Sequence, residues 1–279
     1  MFFTSVVLYL LVRKSNLLKT PQQLTNLAMF LIPIFPYLIL AANSDVRFEL
    51  NLLESILIII SAIFFSYLGN VFSLKGIQKS PNPGYSLIIS KSYVVFTSIV
   101  SIFLFNAPLT ITSVIAIFLI VGFSALIMID KNKNQVSTEY NKSWLPYTIG
   151  AFFCWGFLAL TAKYLLNIGV PVLTRLIYSM SIVVFFIFGE IIVKKVAVFK
   201  ISSKQLIVLI LIGISSAVFN YFMQVGFDLA PNVGFINAAN AASVALLSLM
   251  SALIFKDELP LKKVIGIIGV TAGLIILFL

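Results

Sequence analysis

Apolar residues along this chain come in long runs rather than alternating with polar ones. Reading the runs between charged or Pro/Gly/Asn breaks gives ten segments, roughly 1–12, 24–42, 54–74, 84–105, 109–129, 145–166, 171–193, 205–227, 233–255 and 260–279. Most approach the ~20 residues that an α-helix needs to cross the hydrocarbon of a bilayer. The strands of a membrane barrel would instead alternate over about ten residues. Within hydrocarbon every backbone N–H and C=O must be paired inside the protein, so runs of this length are helices. Pro33 and Pro36 are expected to kink the second, since each removes an intrahelical bond.

The polar, glycine and proline positions inside the runs occur twice. Asn220, Phe222, Gly226, Pro231-Asn232, Gly234, Ser248, Ser251 and Phe255 each have the same residue 150 positions earlier, at Asn70, Phe72, Gly76, Pro81-Asn82, Gly84, Ser98, Ser101 and Phe105. Pro21 and Pro171 extend the correspondence upstream. Apolar matches could follow from composition alone; these could not. The chain therefore reads as two similar halves, 1–129 and 145–279, joined by a basic linker loop at 130–144. The first half begins at the equivalent of Ala151, which shortens its first helix as a late start or a truncated element would.

Composition agrees with a membrane protein. Apolar residues make up 61% of the chain and charged ones 10%, with a mean hydropathy of +1.11, too little polar material to cover a soluble globule. No cleavable leader is expected, because Met1-Phe2-Phe3 lacks a basic region before the apolar run. There is no histidine and one cysteine, Cys154, so neither a disulfide framework nor a His/Cys metal site is expected, and Cys154 reads as a small buried residue. No cofactor is implied. The net charge of +10 is not a nucleic-acid signal, because the basic residues are dispersed over short loops. The loops after the first, third, fifth, seventh and ninth runs hold fifteen of them, against Arg47 alone on the other side. The positive-inside rule then turns both termini away from the cytoplasm of a plasma or inner membrane.

Five crossings per half is an odd number, so the second half enters the membrane inverted relative to the first. The expected fold is all-α, with ten transmembrane helices in two inverted five-helix repeats, and in secondary transporters such repeats put the substrate site near the midplane between the halves. The sequence also resembles the EamA-type ten-helix members of the drug/metabolite transporter superfamily, over nearly its whole length. The matching signs are Trp155-Gly156 followed by Lys163, Ala230-Pro231, and Phe255-Lys256-Asp257-Glu258-Leu259 before Gly266 and Gly269. The resemblance implies architecture more than substrate, since such families move amino acids, sugars, nucleotide conjugates, phosphorylated metabolites and drugs. Two features depart from the family: its members usually have cytoplasmic termini, and Ser5 and Val6 stand where the first half would match Trp155 and Gly156.

Candidate substrate contacts are polar residues within the apolar runs. Lys91 lies seven residues into the fourth run, about 10 Å from its start, where a charge costs about 2.5–3.5 kcal/mol on insertion scales; its twin is Ala241. It either meets an anionic group of a substrate or snorkels to the membrane edge. Ser86, Ser90, Tyr93, Thr97 and Ser101 form a stripe on one helical face. Asn237 with Asn240, and Asn220 (twin of Asn70) with Gln224, pair in the same way. These side chains either line an aqueous cavity or bond helix to helix. Pro81–Gly84 and Pro231–Gly234 open runs four and nine as N-caps or as anion-binding helix starts. Lys163 and Arg175 read as anchors at span ends, with Lys163 also able to join a cavity beside Trp155. Glu190 pairs with Lys194, and Gly266, Gly269 and Gly273 form a packing face.

A phosphate-binding P-loop is lacking, so ATP is not the direct driver, and the carboxylates sit in loops or near span ends, leaving no mid-membrane acid to carry a proton. Acids, bases and metal ligands do not cluster as catalysis needs. The chain therefore reads as a non-ATP carrier of a small polar metabolite, an anionic one if Lys91 is a ligand. The alternatives are an amino-acid or drug exporter of the same fold and, behind them, a non-transporting scaffold or an intramembrane enzyme. Its partners are the bilayer and the small-molecule substrate, with monomer and homodimer both open.

Overall fold

The structure is a computed structural model and describes residues 1–80, 86, 89–128, 142–198, 200–256 and 259–278. The turn at Pro81–Gly84, most of the linker at 130–144 and the pair Asp257-Glu258 lie outside the described residues. The described elements are helical, with no strand among them: α1 (Phe2–Leu17), α2 (Gln22–Ala42), α3 (Leu52–Ile60), a π-helical stretch (Ser61–Tyr67), α4 (Leu68–Lys79), α5 (Tyr93–Phe105), α6 (Ile111–Met128), α7 (Leu145–Asn167), α8 (Val172–Val193), α9 (Ser203–Leu229), α10 (Val233–Phe255) and α11 (Leu261–Phe278). A 3₁₀ turn, Lys142–Trp144, precedes α7.

Among the described residues eight helices are long and apolar enough to cross a membrane, with α3, the π stretch and most of α4 counting as one span, Leu52–Gly76. The chain is a multi-pass membrane protein. Of the ten expected crossings, the other two fall on shorter helices. α1 has 16 residues, about 24 Å at 1.5 Å per residue, and Ile89–Phe105 is similarly short. α1 nevertheless runs past the expected end at residue 12. Arg13 and Lys14 continue the helix, and a cation in the last turn complements the free carbonyls there. The charge signal ended that run too early.

Helix ends recur at the spacing found in the sequence. α2 and α8 begin 150 positions apart, as do α6 and α11. The pairs α1 and α7, α4 and α9, and α5 and α10 end 150 apart. Of the five positive-φ residues among those described, four fall into two such pairs, Lys19 (55°) with Gly169 (89°) and Asn106 (51°) with Lys256 (58°). Gly169 takes the left-handed conformation without strain, whereas the other three carry a side chain in it.

The chain forms two compact units, and each draws on both sequence halves. The first contains Met1–Ile63 and Thr161–Asp228, the second Phe64–Leu160 and Leu229–Leu279. In the first unit α2 packs along α8. α2 passes through Pro33 and Pro36 as one helix; within a membrane protein, neighbouring groups can re-satisfy the backbone that proline frees. Here Tyr37 and Ala41 of α2 meet Leu173, Leu176, Ile177 and Met180 of α8 and Ala217 of α9, and the Tyr37 hydroxyl donates to the Ala217 carbonyl at 2.6 Å. α3 opens with a capping box. Asn51 Oδ1 accepts from the Glu54 N–H, and Glu54 Oε2 accepts from the Asn51 N–H, both at 2.9 Å.

In the second unit α6 packs along α11, and α10 touches α5, α6 and α11. The glycines of α11 are the expected packing face. A β-carbon at Gly269 would lie 2.2 Å from the Phe123 ring, and those at Gly266 and Gly273 would lie 2.5 Å from Ile127 and 2.8 Å from Ile120. α10 approaches α5 as closely, since a β-carbon at Gly234 would fall within 2.7 Å of the Ser98 backbone.

Candidate functional site

The seam between α5 and α10 gathers the densest set of buried polar side chains in the second unit. The sequence makes it so by period: Tyr93, Thr97, Ser98 and Ser101 recur on one face of α5, and Asn237, Asn240 and Ser243 on one face of α10, all buried. Asn232 is the N-cap of α10, as expected. Its Oδ1 accepts from the Gly234 N–H at 2.8 Å, and its Nδ2 donates to the carbonyls of Ser98 (3.2 Å) and Pro108 (3.3 Å). This cap also ties α10 to the end of α5, and its bonding supports the plain capping role.

One turn deeper, Asn237 Nδ2 donates to Thr97 Oγ1 at 3.0 Å, and the Tyr93 hydroxyl donates to Asn237 Oδ1 at 3.4 Å. Thr97 in turn donates to the Val94 carbonyl. Asn237 is therefore an interhelical strut. Asn240, one turn on, differs: its Oδ1 is buried without a hydrogen-bond partner, as is Ser101 Oγ. A buried amide left without a donor is costly unless something else supplies one. Asn240 is the seam's candidate ligand atom.

The remaining predicted residues separate. Ser90 is buried and Lys91 half-buried, both in the helical residues just before Tyr93. Asn70 is half-buried on α4. Trp155 and the half-buried Cys154 pack on the same helix at Gly69, where a β-carbon would stand 3.0 Å from Cys154 Cβ and 3.8 Å from the indole. Ser86, at the head of the stripe, shares a 2.7 Å hydrogen bond with Thr148 of α7. All these belong to the second unit.

Lys163, Asn220 and Gln224 belong to the first unit. Lys163 is only 8% exposed, and its Nζ donates to the Asp228 carbonyl at 2.8 Å, which caps the end of α9 with a cation. Asn220 donates to Ser216 O and Oγ one turn back on its own helix, at 2.9 and 3.0 Å. Its expected partner Gln224 keeps a buried, unbonded Oε1. Asn220 and Gln224 therefore do not bond each other.

Arg175 requires a correction. As a span-end anchor it should have reached water, but it is 2% exposed and its Nε has no partner. It lies in the first turn of α8, where its neighbours Leu173, Thr174, Leu176 and Ile177 are buried as well. Two other functional candidates escaped the sequence. Glu54 is 2% exposed yet holds the guanidinium of Arg47 at 2.9 Å while closing its own capping box. The Asn-x-x-Glu spacing at 51–54 was the available signal. Phe96 stacks edge-on with Phe153 and Phe157 and tilts against Phe152, a cluster without a polar signature. Glu190 accepts from both Lys194, as expected, and Gln23. Among the described residues no set of His, Cys, Asp and Glu side chains could hold a metal.

No protein-family model and no curated protein matches the sequence. Solved structures do match: 29 chains are similar. One of them, a crystal structure, aligns with a TM-score of 0.79 over 99% of this chain and 95% of its own at 13% identity. At that identity the likeness shows the fold alone.

Proposed function

We propose that this chain is a secondary carrier that moves a small polar metabolite across a plasma or inner membrane by alternating access, built from ten crossings in two inverted repeats of the EamA type. The observation that carries the reading is the pairing of twin helices: α2 with α8 in one unit, and α5 with α10 and α6 with α11 in the other. The 150-residue recurrence of helix ends and left-handed caps supports it. An odd number of crossings between twins inverts the second copy, and the two arrangements such a pair can exchange are the usual basis of alternating access. By the positive-inside rule both termini face away from the cytoplasm.

In this reading Asn240, Tyr93 and Lys91 are substrate contacts of the second unit, with Ser90 lining their approach. Lys91 sets the substrate class. A cation half-buried in a span favours a carboxylate or phosphate on the ligand, and the exporter of amino acids or drugs is the version in which Lys91 contacts none. The test is counterflow into proteoliposomes preloaded with inorganic phosphate, succinate, glutamate or glycerol. Saturable counterflow of an anion that Lys91→Ala abolishes is the expected result. Counterflow unaffected by Lys91→Ala moves the exporter ahead. Sealed vesicles that exchange none of these compounds, nor a wider set of amino acids and cationic drugs, leave a scaffold.

A further inference from the structure

In the first unit α3 lies against α8, and between them and the loop that precedes α3 is a cleft of about 560 Å³, within the range of small-molecule sites. Its lining is graded. Phe48 and Glu49 come from the loop, Ser55 from the first turn of α3 and Tyr178 from the second turn of α8. Ile59 and Ile182 stand four positions past Ser55 and Tyr178 on the same helices, about 6 Å farther along. There Ile182 packs on the cluster of Ile58, Leu165 and Val170. One end of the cleft is thus aromatic and acidic, and the other is aliphatic.

The aromatic end is held in place. Thr174 Oγ1 donates to the Arg47 carbonyl at 2.5 Å and the Tyr178 hydroxyl to the Phe48 carbonyl at 3.2 Å. The rings of Phe48 and Tyr178 then meet edge to face, with centroids 6.5 Å apart and planes at 76°. The face of such a ring is negative and attracts cations.

Glu49 is the one charged residue of the lining, and it is exposed. Among the described residues no cation pairs with it: Arg47, two positions away, is held by Glu54 at 2.9 Å, and Lys194 by Glu190. The local charge is also opposite to that of the chain. Three of the nine carboxylates, Asp45, Glu49 and Glu54, lie within ten positions here beside Arg47 alone, in a chain of net charge +10.

We propose that this cleft binds an amphiphilic monocation, an alkylammonium, with its head between Glu49 and the Phe48 and Tyr178 rings and its hydrocarbon chain along Ile58, Ile59 and Ile182. The occupant is a free amphiphile rather than a phospholipid, because the phosphate of a zwitterionic lipid would find no basic residue in the lining. The site does not depend on transport, so counterflow tests the carrier and ligand binding tests the cleft.

The experiment is thermal melting of the protein in maltoside micelles with octyltrimethylammonium, octanol, octanoate or tetramethylammonium. A ligand of the native state raises Tm saturably. Octyltrimethylammonium is expected to do so well beyond octanol, which has the chain without the charge, and tetramethylammonium, which has the charge without the chain. Octanoate, with the wrong sign, should give the least of the three eight-carbon compounds. Glu49→Gln should weaken octyltrimethylammonium binding about three- to fivefold, the worth of one exposed ion pair, and should remove most of the salt dependence of the wild type. Tyr178→Leu should weaken it to a similar extent by removing one ring face. Glu49→Lys reverses the sign at an exposed position and should turn the preference towards octanoate, a gain that a merely destabilised protein would not show. Equal shifts with octyltrimethylammonium and octanol overturn the proposal, as does a cation response unchanged in Glu49→Lys. Suppression of the octyltrimethylammonium shift by added phosphatidylcholine overturns the free amphiphile and makes a choline lipid the occupant.

Discussion

Asn237 and Asn240 lie three positions apart on α10, are both buried, and differ only in what they bond. Asn237→Ala removes the acceptor of Tyr93 and the donor to Thr97. Interhelical hydrogen bonds in membranes contribute about 0.6 kcal/mol on average and at most about 1.7, and a buried hydroxyl left unsatisfied costs about 1–3 kcal/mol. Thr97 retains the Val94 carbonyl, and with two interhelical bonds removed the expected loss is about 2 kcal/mol. At roughly 2–4 °C per kcal/mol for a chain of this size class, the melting temperature should fall by about 4–8 °C. Asn240→Ala removes an oxygen that nothing in the protein bonds. It leaves the same void, so the comparison isolates the bonding. Its Tm should stay within about 2 °C of the wild type, while counterflow of the transported anion is lost or its half-saturation rises. The assay is melting in detergent followed by counterflow on the same preparations. Equal Tm losses at the two positions, or an Asn240→Ala protein of normal stability and normal counterflow, would refute the assignment of strut and ligand.

Gly269→Ala and Gly189→Ala should move stability in opposite directions. The first drives a methyl group into Phe123, at 2.2 Å, and overpacking of that kind costs about 1–3 kcal/mol; the second meets no atom within 4 Å and gains up to about 1 kcal/mol of helix propensity. A harmless Gly269→Ala, measured as Tm, would mean that α6 and α11 do not touch as described. At the start of α3, Asn51→Ala should cost about 1 kcal/mol, and Asn51→Ser, which still accepts from the Glu54 N–H, much less. Identical losses for Ala and Ser would assign the effect to something other than the cap.

What the sequence revealed and what it hid follow from the range of the forces involved. Helix positions were legible because transfer into hydrocarbon is a property of each run by itself, and twin positions because they can be compared within one chain. The glycines of α11 were legible for the same reason: a small-residue spacing admits a close neighbour whatever that neighbour is. Asn237 and Asn240, by contrast, have the same chemistry and the same helical face. Only the position of Thr97 and Tyr93 on another helix makes one a strut and leaves the other unbonded. Arg175 shows the limit most sharply. Its place near the end of a run licensed an anchor, because snorkelling depends only on distance to the interface. Whether the side chain can snorkel depends on what packs around that turn of the helix, where Thr174 and Tyr178 bond the carbonyls of Arg47 and Phe48, up to 130 residues away in sequence. The twin of Arg175 is Thr25, which spends its hydroxyl on Ser15 at 2.9 Å. The repeat thus holds a satisfied polar residue in one copy and an unsatisfied cation in the other. In the proposed repeat the shared positions account for the shared helix ends, and function has to be sought where the two copies differ.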